Sequence, residues 1–295
     1  MFTRNLQRMI LACLFLVTLA LSFVVLGEIE SSDEIKIKIW VDKSLYLVRE
    51  PIFVNYSIRN VTDSLLLLSF HEIREYFVIR DQTDRFFGPS MRGMYGGGDS
   101  LLPQQTYSAW INITRSYEVR EAGEYTCYIQ MPSGGFFPYT GAKSNTIKIK
   151  VNNPKGEEKK ALELFLEAEK LKWTPDKAPE KRALAFSKYL ELADRFPTSV
   201  YAPQALRSAW GVYIYSRDLE ERKKIIPVCK KLIESYPDSY YFVLAFTQIV
   251  DTYKILKDKE GAVKTMQELI KKHPDTRISE EAERRLKKIE KWEFK

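Results

Sequence analysis

Apolar and polar positions alternate with a period of two through the first half of the chain and with a period of about 3.6 through the second. Ile35, Ile37, Ile39 and Val41 alternate with Lys36, Lys38 and Trp40; Ile52, Val54, Tyr56 and Ile58 alternate with Phe53, Asn55, Ser57 and Arg59. Tyr125, Cys127, Ile129 and Met131 alternate with Thr126, Tyr128 and Gln130, and Ile147, Ile149 and Val151 with Lys148 and Lys150. Such alternation turns one face of a strand into a core. Adding Leu65 to Phe70, Tyr76 to Arg80 and Tyr107 to Ile113 gives about seven strands over roughly 120 residues, the profile of an antiparallel β-sandwich. The polar, turn-rich run Asn152-Asn153-Pro154-Lys155-Gly156 closes that region. The expected organisation is therefore an export segment at 1–27, a sandwich at 28–153 and a helical array at 154–295.

The helical half repeats itself. Phe196-Pro197-Thr198-Ser199, Tyr236-Pro237-Asp238-Ser239 and His273-Pro274-Asp275-Thr276 each end one amphipathic pattern and open another. Aligned on their prolines, Ala185, Ile225 and Ala262 coincide, as do Tyr189, Cys229 and Met266, and Leu192, Leu232 and Leu269. A second set, Leu206, Ala209 and Tyr213 beside Phe246, Ile249 and Tyr253, marks the first helix of two pairs. Ser199, Ser239 and Thr276 stand where a helix needs an N-cap, and Pro227 falls where it should kink or delay its helix. Residues 277 to 292, rich in Glu, Arg and Lys around Ala282, Leu286 and Ile289, read as a solvating end cap. The run Phe246, Ile249, Tyr253, Ala262, Met266, Leu269, Pro274 has the spacing of a tetratricopeptide repeat. From about residue 155 to 292 the chain resembles bacterial tetratricopeptide proteins of the cell envelope, the group of the barrel-assembly lipoprotein and the periplasmic cell-division coordinator. That resemblance implies a helical solenoid and an interaction or scaffold role, not a reaction.

The first domain carries a resemblance of its own. Glu121-Ala122-Gly123-Glu124-Tyr125-Thr126-Cys127 resembles the tyrosine corner of immunoglobulin-like sandwiches, with Tyr125 two residues before a cysteine. The segment from Arg49-Glu50-Pro51 to Ser64 is similar to Ig-like domains of exported bacterial proteins and of a bacterial proteinase inhibitor. The early strand offers Val54 or Tyr56 where the partner cysteine would stand, so no inter-sheet disulfide is expected. By this analogy an alternative role is inhibition of, or assistance to, an enzyme such as a protease through loops at Tyr95 to Leu102 and Ser133 to Thr140.

Arg4 and Arg8 precede an unbroken apolar run from Met9 to Leu26, the order of an export signal, either cleaved or retained as an N-terminal anchor. The expected location is extracytoplasmic. Net charge is +7; residues 154–295 hold 30 basic against 24 acidic residues, interleaved as on solvated helix faces. That interleaving argues against nucleic acid and leaves protein partners, with acidic segments favoured, and membrane association through the N-terminal segment. Beyond the signal, Cys127 and Cys229 sit on apolar faces and read as small buried hydrophobes. The two histidines, His71 and His273, lack metal-ligand or nucleophile spacing, and Gly96-Gly97-Gly98 lacks the Lys-Ser/Thr of a phosphate cradle. No enzyme, cofactor or metal is expected, and nothing in the sequence sets an oligomeric state.

In tetratricopeptide arrays the first helix of each pair lines the concave side. With Leu206, Ala209 and Tyr213 assigned to packing, that resemblance leaves Gln204, Arg207, Gly211 and Ile214 facing a partner; with Phe246, Ile249 and Tyr253 packed, it leaves Leu244, Thr247, Asp251 and Lys254. Arg207 and Lys254 would suit a carboxylate-bearing segment, and Gly211 would let a backbone come close.

Overall fold

A computed structural model describes residues 34–68, 72–89, 99–131, 141–172 and 178–293. The expected export segment, the Gly96–Gly98 run, His71 and the loop from Ser133 to Thr140 lie outside these residues. By its internal contacts the chain divides between Asn153 and Pro154 into two compact units.

The first unit is β-rich. All seven expected strands form: β1 (Ile35–Trp40), β3 (Phe53–Asn60), β4 (Leu66–Leu68), β5 (Phe77–Asp81), β8 (Thr106–Asn112), β9 (Gly123–Ile129) and β10 (Ile147–Asn152). Three short strands join them, β2 (Leu45–Leu47), β6 (Phe86–Phe87) and β7 (Asp99–Leu101), with a single helical turn α1 (Ile113–Ser116). Sheet order is β1-β3-β8, β2-β10-β9-β5-β6, and β4-β7. The expected faces are the buried ones: Ile35, Ile37 and Ile39 are each 1 % exposed, and Val54, Ile58, Cys127 and Ile149 lie in the same core. Tyr56 of β3 meets Phe77 of β5 edge-to-face at 5.8 Å, so the three- and five-stranded sheets share that core.

One expectation needs correction. The sheets are not wholly antiparallel, because β2 pairs with β10 in parallel. After Trp40 the chain turns through Asp42 and Ser44 and crosses to the other sheet; Lys150 N donates to Ser44 O (2.8 Å) and Val48 N to Asn152 O (2.9 Å). A three-residue strand is too short to show a period, so the sequence gives no warning of the crossing.

Buried polar groups tie the unit together. Asn145, 6 % exposed, accepts from Ile39 N (2.8 Å) through Oδ1 and donates through Nδ2 to Ile39 O (2.9 Å). Thr114 Oγ1 accepts from Ile52 N (3.0 Å) and donates to Glu50 O (2.8 Å). Tyr125 Oη donates to Glu121 O at 2.9 Å. Cys127 has no disulfide partner.

The second unit is helical: α2 (Gly156–Lys172), α3 (Pro179–Arg195), α4 (Ala202–Tyr213), α5 (Leu219–Lys223), α6 (Ile225–Ser235), α7 (Phe242–Leu256), α8 (Lys259–Lys272) and α9 (Arg277–Ile289). All nine aligned second-helix positions, from Ala185 to Leu269, are at most 1 % exposed. Proline sets where these helices stop. The preceding residue is driven from helical dihedrals, and Phe196, Tyr236 and His273 adopt φ −128, −137 and −131 with ψ 57, 58 and 60. Each still donates its N–H to the leucine four residues back.

The caps differ in part from expectation. Thr276 is the N-cap of α9, its N–H donating to Ser279 Oγ (3.0 Å). Ser199 and Ser239 instead close a turn ahead of the helix, accepting from Tyr201 N and Tyr241 N at 3.2 Å; Tyr201 and Tyr241 are the N-caps. The serine hydroxyl prefers the turn after proline, which delays α4 and α7. Pro227 interrupts its rod as expected. It lacks the N–H that would bond Lys223 O, so α5 and α6 are separated at Lys224, and Pro227 falls in the first turn of α6, where that N–H is dispensable.

Consecutive pairs are stapled to one another. Lys231 pairs with Asp194, Lys272 with Glu234 (2.9 Å) and Lys230 with Glu268 (2.8 Å). The closing helix α9 keeps only the side that faces back. Ile278, Ser279, Ala282 and Ile289 are buried, but the positions of Leu206 and Phe246 become Glu283, and those of Tyr213 and Tyr253 become Glu290, both exposed. Leu286, expected on the stripe, is half-exposed for the same reason.

Candidate partner-binding surface

The first helices of the pairs, α2, α4 and α7, present the candidate surface. On α4, Leu206, Ala209 and Tyr213 are buried, which rotates Arg207 and Gly211 outward. Arg207 is half-buried, its guanidinium 5.9 Å from the ring of Trp210. Gly211 faces two cations: a Cβ there would lie 3.2 Å from Arg207 Nη1 and 3.6 Å from Lys172 Nζ of α2. Gln204, one turn earlier, is half-buried with Oε1 enclosed and unbonded. Ile214 is half-buried immediately after α4.

Lys172 is itself held. Its Nζ lies 3.8 Å from Glu169 Oε1 and 5.9 Å from the centre of the Tyr189 ring, and Tyr189 Oη donates to Glu169. Burial, and then the Glu169 carboxylate, push the Tyr189 phenol far above its ordinary value. The Tyr189–Glu169–Lys172 chain thus fixes one cation beside another over a residue without a side chain. An anionic group arriving at that point meets the two cations. Lys172 does not stand out in the sequence because the matched first-helix positions begin only at α4.

On α7, Phe246 and Ile249 are fully buried and Tyr253 is half-buried, its hydroxyl 2.8 Å from Thr265 Oγ1. Leu244 is 40 % exposed, Asp251 and Lys254 are exposed, and Thr247 Oγ1 donates to Val243 O (3.1 Å). The eight expected positions therefore fall into two sets on helices that both pack on α6. Tyr215 (89 % exposed), in the turn after α4, and Ile255 (47 %), at the corresponding position on α7, were missed because each lies beyond the last packing residue. Of the loops proposed for enzyme inhibition, only residues 99–102 are described, and Asp99–Leu101 pairs with β4. Among the described residues no group of three His, Cys, Asp or Glu could hold a metal ion, and no helix is long and apolar enough to cross a membrane.

A tetratricopeptide-repeat family model matches residues 246–276, from the Phe246 of α7 to the Thr276 cap of α9. The helical unit thus contains a tetratricopeptide repeat, a module of protein–protein interaction and scaffolding that is typically non-catalytic. No curated protein matches the chain. A solved structure, the yjhA protein from Bacillus subtilis, is similar at 13% identity over 43% of this chain and 97% of that one, with a TM-score of 0.25.

Proposed function

We propose that this chain is a non-enzymatic interaction or scaffold protein of the bacterial cell envelope, gripping a protein partner through the first helices of its repeat array. The observation that carries the site is the convergence of Lys172 and Arg207 over Gly211. Gln204, Ile214, Leu244, Thr247, Asp251 and Lys254 extend it along the array, with Tyr215 and Ile255 supplying apolar contact. The favoured partner is a segment combining carboxylates with apolar side chains. Reversing Arg207 and Lys254 together to Glu is expected to leave helicity and melting temperature nearly unchanged and to abolish capture of the partner cross-linked in native cells. Undiminished capture moves the site off these helices.

The envelope location rests on Arg4, Arg8 and the apolar run from Met9 to Leu26. Fractionation with alkaline carbonate extraction tests it, and recovery of the full-length chain in cytosol overturns it. For the first unit we favour an Ig-like sandwich that serves as spacer or second recognition module. The Tyr125 to Glu121 bond, with strand orders of three and five around one core, supports that architecture. The boundary at Asn153–Pro154 is read as that between two separately folding domains.

A further inference from the structure

The outward face of the three-stranded sheet carries a different kind of surface. Trp40 pairs with Asn55, and Asn55 with Trp110, so the three stand in one row across β1, β3 and β8. Their neighbours Ile39, Val54 and Ile111 point into the core, so the row points away from it. Trp110 is 41 % exposed, and Phe53, itself buried, stands edge-on against it with ring centroids 5.1 Å apart at 85°. That contact braces the indole. Two strand spacings separate β1 from β8, about 9.5 Å, and two steps of sheet twist turn one against the other by roughly 45°. The result is two aromatic plates on a twisted platform with a side-chain amide between them.

The next two rows are Lys38, Ser57 and Ser108, then Lys36, Arg59 and Thr106. None of these positions carries an acid. Arg59 Nη2 donates to Gln104 Oε1 at 3.0 Å, which steadies the guanidinium, and Asp42 stands at the rim, 3.5 Å from the Asn55 amide. Interfaces between folded proteins are depleted in lysine and serine, and Lys36, Lys38, Ser57 and Ser108 fill the rows beside the tryptophans. A single-stranded nucleic acid calls for aromatics at successive base-stacking stations, and here an amide separates Trp40 from Trp110. Pyranose rings fit: their C–H faces stack on indoles, their hydroxyls meet amide and hydroxyl groups, and carboxylates meet the cations.

We propose that this face binds an anionic polysaccharide, with sugar rings stacked on Trp40 and Trp110 and carboxylates paired to Lys36, Lys38 and Arg59. Native electrophoresis of the full chain through gels containing polygalacturonate, alginate or hyaluronate tests it, with neutral galactan and oligothymidylate as comparisons. At least one acidic polymer is expected to retard the chain, more than galactan does, and less so as salt rises from about 0.1 to about 1 M. The double variant W40A/W110A is expected to weaken binding by about tenfold or more. K36E/K38E, which alters only exposed side chains, is expected to do the same with an unchanged melting temperature, and it decides the matter if the tryptophan variant fails to fold. The proposal is overturned if none of the three acidic polymers retards the chain, or if retardation is unchanged in K36E/K38E. Retardation by oligothymidylate but by no polysaccharide also overturns it and makes the face a nucleic-acid surface.

Discussion

Tyr236 Oη donates a 2.8 Å hydrogen bond to the carbonyl of Pro197, one repeat earlier in the chain. Arg277 Nη1 does the same for Pro237 at 3.0 Å. Each of these prolines lies just beyond the end of a second helix, and its own carbonyl, outside the helical ladder, takes its donor from the following repeat. The repeat phrase is thus a coupling element as well as a helix stop. Tyr236→Phe is expected to lower stability of the helical unit by about 1 kcal/mol while leaving helicity intact. Urea denaturation followed by circular dichroism measures this; an unchanged midpoint would mean that water replaces the phenol.

Two glycines on helices should respond to alanine with opposite signs. A Cβ on Gly261 would overlap Asp258 Oδ2 and lie 2.7 Å from Tyr253 Cε1, and Asp258 cannot retreat without losing the cap its Oδ1 gives to Gly261 N at 2.7 Å. At Gly211 the nearest atom is the end of the flexible Arg207 side chain at 3.2 Å, and Lys172 Nζ at 3.6 Å is in ordinary contact. Gly261→Ala should therefore destabilise despite alanine's better helix propensity, whereas Gly211→Ala should stabilise by up to about 1 kcal/mol. Thermal melts of the two variants give the signs directly.

Tyr125→Phe keeps the ring, which is 3 % exposed, and deletes only the bond to Glu121 O. A loss of about 1 kcal/mol is expected in the β-rich unit. Hydrogen exchange at the amides of β9 and β10 reports it without interference from the helical unit. Unaltered exchange would show that the corner is decorative.

High pH should weaken both units. Burial pushes the Cys127 and Cys229 thiols well above their ordinary 9.0, and burial with Glu169 pushes the Tyr189 phenol above 10.0. The folded state thus holds protons that the unfolded chain releases, so stability is full below about pH 9 and falls as pH rises beyond it. Melting temperature against pH tests the sign, and peptide mapping after exposure to a thiol reagent tests the cause. Peptides containing Cys127 and Cys229 should be labelled only once the chain is unfolded.

Much of this architecture was legible because burial follows period. Ile35, Ile37 and Ile39, like Ala262, Met266 and Leu269, are where the alternation and the 3.6-residue spacing put them. What escaped was set by contacts distant in sequence. The parallel β2–β10 pair depends on a chain crossing at Asp42 to Ser44, and the shift of the Ser199 and Ser239 hydroxyls depends on a competition between turn and helix. Lys172 becomes part of the candidate site only because Tyr189 and Glu169, on two helices, aim it at Gly211. No spacing rule along one strand of sequence encodes that meeting, nor the row that joins Trp40 to Trp110 across β3.

Glu283 and Glu290 constrain how such an array can grow by gene duplication. A copied helix pair placed after α9 would meet two carboxylates at the positions where Leu206 and Tyr213 are buried. A copy inserted ahead of Pro274 would meet a phrase already shaped to accept it, with Ile278 and Ala282 ready to close the lengthened stack. Lineages carrying longer versions should therefore differ in the number of internal units while keeping Glu283 and Glu290 at the final helix.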